Sequence, residues 1–231
     1  KDVITKVTDK SSFMEIQPEF GQGIVIGFAR LNGDSVGIVA NNPAVNQGAL
    51  DMDSADKAAR FIRLLDSFNI PILTFTHTSG YIADAQQEKK GLIRHVAKML
   101  YAFAEASVPK INVVTGKAIG GAFIAMNSKS IGADVVYAYP TTEISIMESE
   151  AAANVIFSKQ IAQSEDPTTF RKEKVDEYRQ RYGLAYEAAN RGYVDDVIDP
   201  AYTRTYVISA LEMLKSKRED RPNKKHGNMP L

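Results

Sequence analysis

The sequence predicts an α/β fold, on three observations. Short β-branched runs alternate with longer stretches whose apolar residues recur at helical spacing. The alternation often takes the form of two strands followed by one helix. An Asn-Gly pair between two of the runs marks a tight hairpin rather than a crossover.

The hairpin comes first. "IVIGFAR" (24–30) and "SVGIVAN" (35–41) flank "LNGD", in which Asn32-Gly33 is the turn. In "DMDSADKAARFIRLLDSFN" (51–69), Ser54 is the expected N-cap, Ala55, Ala58, Ala59, Ile62 and Leu65 form the apolar stripe, and Asn69 closes the helix. "IPILTF" (70–75) reads as a buried strand with Pro71 near its start, where a missing N–H matters least. The polar loop "THTSGYIADAQQEKK" leads to the helix "GLIRHVAKMLYAFAEAS", striped by Leu92, Ile93, Val96, Met99, Leu100 and Phe103. "VPKINVVT" is the next strand, followed after a short loop by the pair Gly120-Gly121, which opens a helix over about 121–130. "DVVYAYP" and "EISIM" are short strands. From Glu148 the chain reads as mostly helical, interrupted by "YVDDVIDPAYT" and closing on the amphipathic "YVISALEMLKSKR". Asp176, Glu177, Arg179 and Arg181 read as a solvated face. We expect one domain over 1–231, with a polar tail from about 219 that reads as an extended strap.

Composition narrows the chemistry. The chain has 231 residues, 44% of them hydrophobic, and 28 basic residues balance 28 acidic ones. A neutral chain lacks the basic footprint of a nucleic-acid binder. Cysteine is absent, which removes disulfides, thiolate metal sites and cysteine nucleophiles. The apolar runs fall far short of the ~20 residues of a membrane span. The chain opens on lysine with no signal peptide, and we read it as a cytoplasmic piece of something longer.

The three histidines, His77, His95 and His226, form no metal-binding spacing, so no metal is expected. His95 reads as a packing or solvated residue, whereas His77 stands just past a strand end, where α/β folds place ligands. A Ser-His-Asp triad from Ser79 or Ser128 with either histidine stays open on spacing alone, but no nucleophile elbow supports it. The glycine turns are more informative. Gly120-Gly121 follows one strand, and Gly80 follows the end of another. Glycine permits sharp turns and close approach. The unpaired amides at a helix start favour an oxyanion. The alternative is close packing of helix on strand. Two such turns at the ends of two strands lead us to expect one shared crevice.

Several stretches together carry a resemblance: "SFMEIQPEFGQGIVIGFARLNGDSVGIVANNP", "FNIPILTF", "IRHVAKMLYAFAEASVPKINVV", "KAIGGAFIAMNSKSIGADVVYAYP", "AAANVIF" and "RPNKKHGNMPL". They resemble the C-terminal half of biotin-dependent acyl-CoA carboxyltransferases, nearest the branch acting on propionyl-CoA and methylmalonyl-CoA. The resemblance implies a crotonase-like (ClpP-like) spiral of ββα units. It also implies a missing N-terminal half that supplies most of the coenzyme A site, a biotin carboxyl carrier as partner, and an active site formed between halves of different subunits in a homo-oligomer. In that chemistry carboxybiotin releases carbon dioxide, its ureido oxyanion takes the α-proton of the acyl thioester, and the enolate captures the carbon dioxide; a decarboxylase runs the reverse. Biotin is the base, so the protein needs no nucleophile. By resemblance, the backbone of Gly121 and Ala122 holds the ureido oxygen. Gly80, Tyr81, Ile119, Gly120 and Ile124 border the substrates, Ile124 standing where the family tunes acyl-chain choice.

The chain departs from the family pattern in three loops. D-x-P-G-F reads His77-Thr78-Ser79-Gly80-Tyr81, R-K-A-Y-G-G reads Gly116-Lys117-Ala118-Ile119-Gly120-Gly121, and M-G-A-E-G-A reads Met147-Glu148-Ser149-Glu150-Ala151-Ala152. Two alternatives therefore stay open: a biotin-independent hydratase or lyase on coenzyme A esters, with Glu148 or Glu150 as the acid, and a non-catalytic assembly subunit.

Overall fold

A computed structural model describes residues 1–219, 222 and 225–230. A first helix, α1 (Asp2–Val7), is followed by β1 (Met14–Ile16), β2 (Ile24–Leu31) and β3 (Asp34–Asn41). Helix α2 (Met52–Ser67) leads to β4 (Ile72–Thr78). After α3 (Ala85–Lys89) and α4 (Leu92–Glu105) comes β5 (Lys110–Ile119). Then follow α5 (Gly120–Ala125), β6 (Val135–Ala138), β7 (Glu143–Ser145), α6 (Ser149–Ile156), α7 (Ser158–Gln163), α8 (Pro167–Tyr178), α9 (Ala185–Asn190), β8 (Asp196–Val197) and α10 (Thr203–Leu214). One sheet runs β1-β2-β3-β4-β5-β6-β8, with β7 paired to the far end of β5. The first three strands are antiparallel, and pairing is parallel from β3 onward.

The hairpin forms as expected. Asn32 (φ 53°) and Gly33 (φ 85°) both lie in the left-handed region, the geometry of a two-residue turn whose twist matches the strands. The Asp9 carboxylate accepts both of their N–H groups, and Arg204 at the start of α10 reaches the same carboxylate at 2.6 Å. These bonds, led by the one from Gly33, hold the Asp9 carboxyl below the ordinary range.

Each sheet face has its own core because strand side chains alternate. Ile24, Ile26, Val39 and Ile72 pack on α2, α4 and α5. Val25, Ile38, Leu73, Phe75, Ile111 and Val113 pack on α1 and α10. In β4, Leu73 and Phe75 join the second face, which turns Thr74 and Thr76 toward the first.

Several boundaries differ from expectation. The N-cap of α2 is Asp51, whose carboxylate accepts the Ser54 N–H at 2.7 Å; Ser54 sits one turn in, buried against Gly23. Asp51 also brings its charge to the positive end of the helix. Asn69 does close α2, in the left-handed conformation (φ 54°). The strand read over 70–75 runs instead over Ile72–Thr78, and the loop after it contains α3. No loop precedes the glycine pair: β5 continues to Ile119 because β7 offers Lys117–Ile119 a parallel partner. The helix expected over 121–130 is only Gly120–Ala125, stopped where Asn127 turns left-handed (φ 56°) and followed by a single 3-10 turn, Lys129–Ile131. The expected strap falls partly outside the described residues (Asp220, Arg221, Asn223, Lys224 and Leu231). Within it, the Asn228 N–H donates to the Tyr101 hydroxyl at 3.0 Å.

Candidate functional site

The carboxyl ends of β4 and β5 lie side by side, so the loops after them converge. There α5 starts directly from the strand. Gly120 adopts φ 63°, and a β-carbon on it would stand 3.1 Å from the Ile146 carbonyl oxygen. Gly121 accepts the Tyr81 ring: a β-carbon there would lie 3.2 Å from Tyr81 Cε2. The Tyr81 ring brings the second glycine turn beside Gly121, whereas Gly80 itself stands apart from the first turn. Burial pushes the Tyr81 phenol up to about 12, which keeps it protonated. No side chain caps α5, and amides of a first helical turn have no partner within the helix.

A mainly apolar cavity of about 830 Å³ opens beside this turn. Gly120, Gly121 and Ile124 line it, together with Ile144 and Ile146 from the β7 segment, Phe157 after α6, and Tyr178, Arg181 and Tyr182 around a π-turn at Arg179–Gly183. Arg181 and Arg191 both stack on the Tyr182 ring, at 5.2 and 5.9 Å. Residues read from sequence as a solvated charged face therefore supply part of the wall, since Glu177 and Arg181 both border the cavity. Nothing in the sequence marks these residues, because the π-turn that aims them follows from the packing of that turn and α9 against β7, with α8 lying on α6 and α7.

The other expected site residues fall in differing places. Ile119 is buried at the end of β5, opposite Ser145. The Ala122 side chain is fully buried against the core, leaving only its backbone toward the turn. Gly80 (φ 134°) has open space around it and is held by its carbonyl, which accepts the Leu50 N–H at 3.0 Å.

Charged groups border the same end of the sheet. Lys117 on β5 pairs with Glu148 at 2.8 Å, and that bond holds the lysine above its usual range. His77, inside β4, packs its ring over Gly116, where any β-carbon would overlap it. Burial, and secondarily the Lys117 charge, hold the His77 imidazole below 6.5. Glu143 accepts from the Ser149 hydroxyl at 2.6 Å and faces Arg179 at 3.8 Å. No triad is assembled from the residues considered. His95 bonds Asp56 at 2.7 Å between α4 and α2, and the Ser128 hydroxyl donates to the Ile124 carbonyl at 3.0 Å. Among the described residues, no group of three or more His, Asp or Glu side chains is placed to hold a metal ion, and no helix is long and apolar enough to cross a membrane.

This geometry coincides with a family. The family model for the carboxyl transferase domain matches residues 1–229. The chain belongs to the carboxyl transferase domain family. It is 52% identical over its full length to the methylmalonyl-CoA decarboxylase subunit alpha of Propionigenium modestum, covering 44% of that protein. It is also 52% identical to the methylmalonyl-CoA carboxyltransferase 12S subunit of Propionibacterium freudenreichii subsp. shermanii, again covering 44%. A solved transcarboxylase 12S hexamer with methylmalonyl-coenzyme A bound superposes with a TM-score of 0.96 at 52% identity, over all of this chain and 44% of that one. The crotonase-like carboxyltransferase fold expected from the sequence is therefore present. The chain spans less than half the length of these carboxyl transferase relatives. The biotin-independent alternative gains nothing from them, and Glu148, one of the two acids it could use, is paired with Lys117.

Proposed function

We propose that the protein to which this chain belongs transfers a carboxyl group between biotin and the α-carbon of a short-chain acyl-CoA, and that this chain supplies the biotin-side half of the site. One observation carries the proposal: full-length similarity to methylmalonyl-CoA enzymes coincides with an uncapped helix start and an apolar cavity at Gly120, Gly121 and Ile124. Biotin, delivered on a carrier, supplies the carboxyl group and the basic ureido oxygen. The donor set suits it, since backbone N–H groups recognise an anionic oxygen without a titratable side chain. The amides of Gly121 and Ala122 hold that oxygen. Gly120 provides the turn, the Tyr81 ring closes one side, and Ile124 narrows the acyl end of the cavity. Lys117, tied to Glu148, fixes the loop above. The remaining half, contributed by another subunit, completes the coenzyme A site, in a homo-oligomeric cytoplasmic enzyme. Ile146, 82% exposed, and Val155, 70% exposed, are apolar residues such a partner would cover.

The test combines the chain with the half its relatives carry and measures decarboxylation of methylmalonyl-CoA with and without biotin carrier. The chain alone should be inactive, the combination active only with biotin. Gly121→Pro, which removes one N–H, should lower turnover about 100- to 1,000-fold, the usual cost of an oxyanion donor. Biotin-independent turnover, or full activity of a normally folded Gly121→Pro, overturns the proposal.

A further inference from the structure

The sheet surface beneath α5 is polar. Thr74, Thr76, Asn112 and Asn127 are all fully buried there. Thr74 lies opposite Asn112 in the β4–β5 pairing, and both face the layer of α2, α4 and α5. The Asn112 Nδ2 donates to the Met126 carbonyl at 3.0 Å. The Thr76 hydroxyl donates to Asn112 Oδ1 at 2.8 Å, with the Met126 carbonyl a second acceptor at 3.3 Å. Asn127 Nδ2 donates to Thr74 Oγ1 at 3.2 Å and to the Ile111 carbonyl at 3.3 Å. The strands thus grip the two residues that follow α5, its C-cap Met126 and Asn127.

A buried polar group costs stability unless it is paired, and a valine at position 76 would fill nearly the same volume without that risk. What the polar set adds is direction: each bond fixes an angle as well as a contact. Helix α5 has six residues, too few to hold its own position. Its Ala122, Ala125 and Met126 face the core while Gly121 and Ile124 face the cavity. The carbonyl at its C-terminal end is therefore the handle by which its cavity face is set.

We propose that Thr76 and Asn112 are positioning residues for the carboxyl-transfer site, seating α5 through the Met126 carbonyl so that Gly121 and Ile124 stand at a fixed depth in the cavity wall. This rests on the carboxyl-transfer function proposed above. In Thr76→Val the hydroxyl is lost, Asn112 Oδ1 loses its donor, and the Met126 carbonyl keeps only Asn112 Nδ2, so α5 is held less tightly. A displacement near 1 Å at a reacting group costs about 100-fold in rate.

The variants are made in the chain combined with its missing half. Thr76→Val should lower kcat for carboxyl transfer about 10- to 100-fold, with KM for the acyl-CoA unchanged and faster hydrogen exchange at the amides of α5. Thr76→Ser, which restores the hydroxyl, should recover both. Ile38→Val, fully buried on the opposite sheet face, serves as the control that lowers the melting temperature without altering kcat or exchange in α5. A Thr76→Val enzyme that melts lower but keeps wild-type kcat and α5 exchange overturns the proposal. If the wild-type combination shows no biotin-dependent transfer, the functional reading fails by itself. Exchange in α5 then still decides whether Thr76 seats the helix. Should Thr76→Val not fold, Thr76→Cys, with its weak thiol donor, is read by the same two measurements.

Discussion

Replacing Gly120 with alanine tests the turn at the centre of the site. Gly120 sits at φ 63°, where an L side chain is strained by about 1–2 kcal/mol. Its new β-carbon would also stand 3.1 Å from the Ile146 carbonyl oxygen, so the β7 segment must give by a few tenths of an ångström. Gly33 supplies the control. It has φ 85° with nothing within 4 Å of an added β-carbon, so Gly33→Ala carries the conformational cost alone. For a chain of this size, 1 kcal/mol moves the melting temperature by about 2–4 °C. Both variants should therefore melt about 2–8 °C lower, Gly120→Ala by the larger amount. Their turnover should diverge. Gly33 lies in the distant hairpin, and Gly33→Ala should transfer carboxyl groups at the wild-type rate. Gly120→Ala displaces the Gly121 and Ala122 amides and should lose about 100-fold. Differential scanning calorimetry and a biotin-dependent decarboxylation assay give the two readings. Equal melting shifts with equal turnover would show that Gly120 is an ordinary turn, and the backbone-donor account would fall.

Two further outcomes follow from buried ionisable groups. Unfolded, His77 takes up a proton as pH falls through about 6.5; folded, burial and Lys117 delay that uptake. The unfolded state therefore binds more protons as pH falls through about 6.5, so stability should decline there and His77→Gln should flatten the decline; identical slopes in melting temperature would refute the assignment. Lys57 is 3% exposed, and its ammonium donates to the Phe20 and Ile24 carbonyls at 2.7 and 2.8 Å. Lys57→Met leaves both carbonyls unpaired and should cost about 2–3 kcal/mol in chemical denaturation. A loss below about 0.5 kcal/mol, the range of an ordinary surface change, would mean that the clip adds nothing.

Local signals decided much of this protein. The Asn32-Gly33 turn, the striped helices α2 and α4, and the placement of glycine turns after strands each depend on residues close in sequence, and each is legible there. The motif set added the family, and with it the backbone reading of Gly121 and Ala122. What the sequence alone left undecided depends on distant partners. Asp51 outcompetes Ser54 as the cap because Ser54 is buried against Gly23. Strand β5 reaches Ile119 because β7 pairs with its end. The run over 70–75 reads as a buried strand, but which face the threonines of β4 take, and that the end of α5 bonds to Thr76 there, is set only by the folded chain. The cavity wall combines residues from positions 120 to 193, brought together only when the π-turn and α9 pack on β7 and α8 packs on α6 and α7. Periodicity reports the face a segment prefers to bury. Which partner covers that face, and which of its polar groups are then bonded rather than solvated, is settled only when the chain has closed on itself.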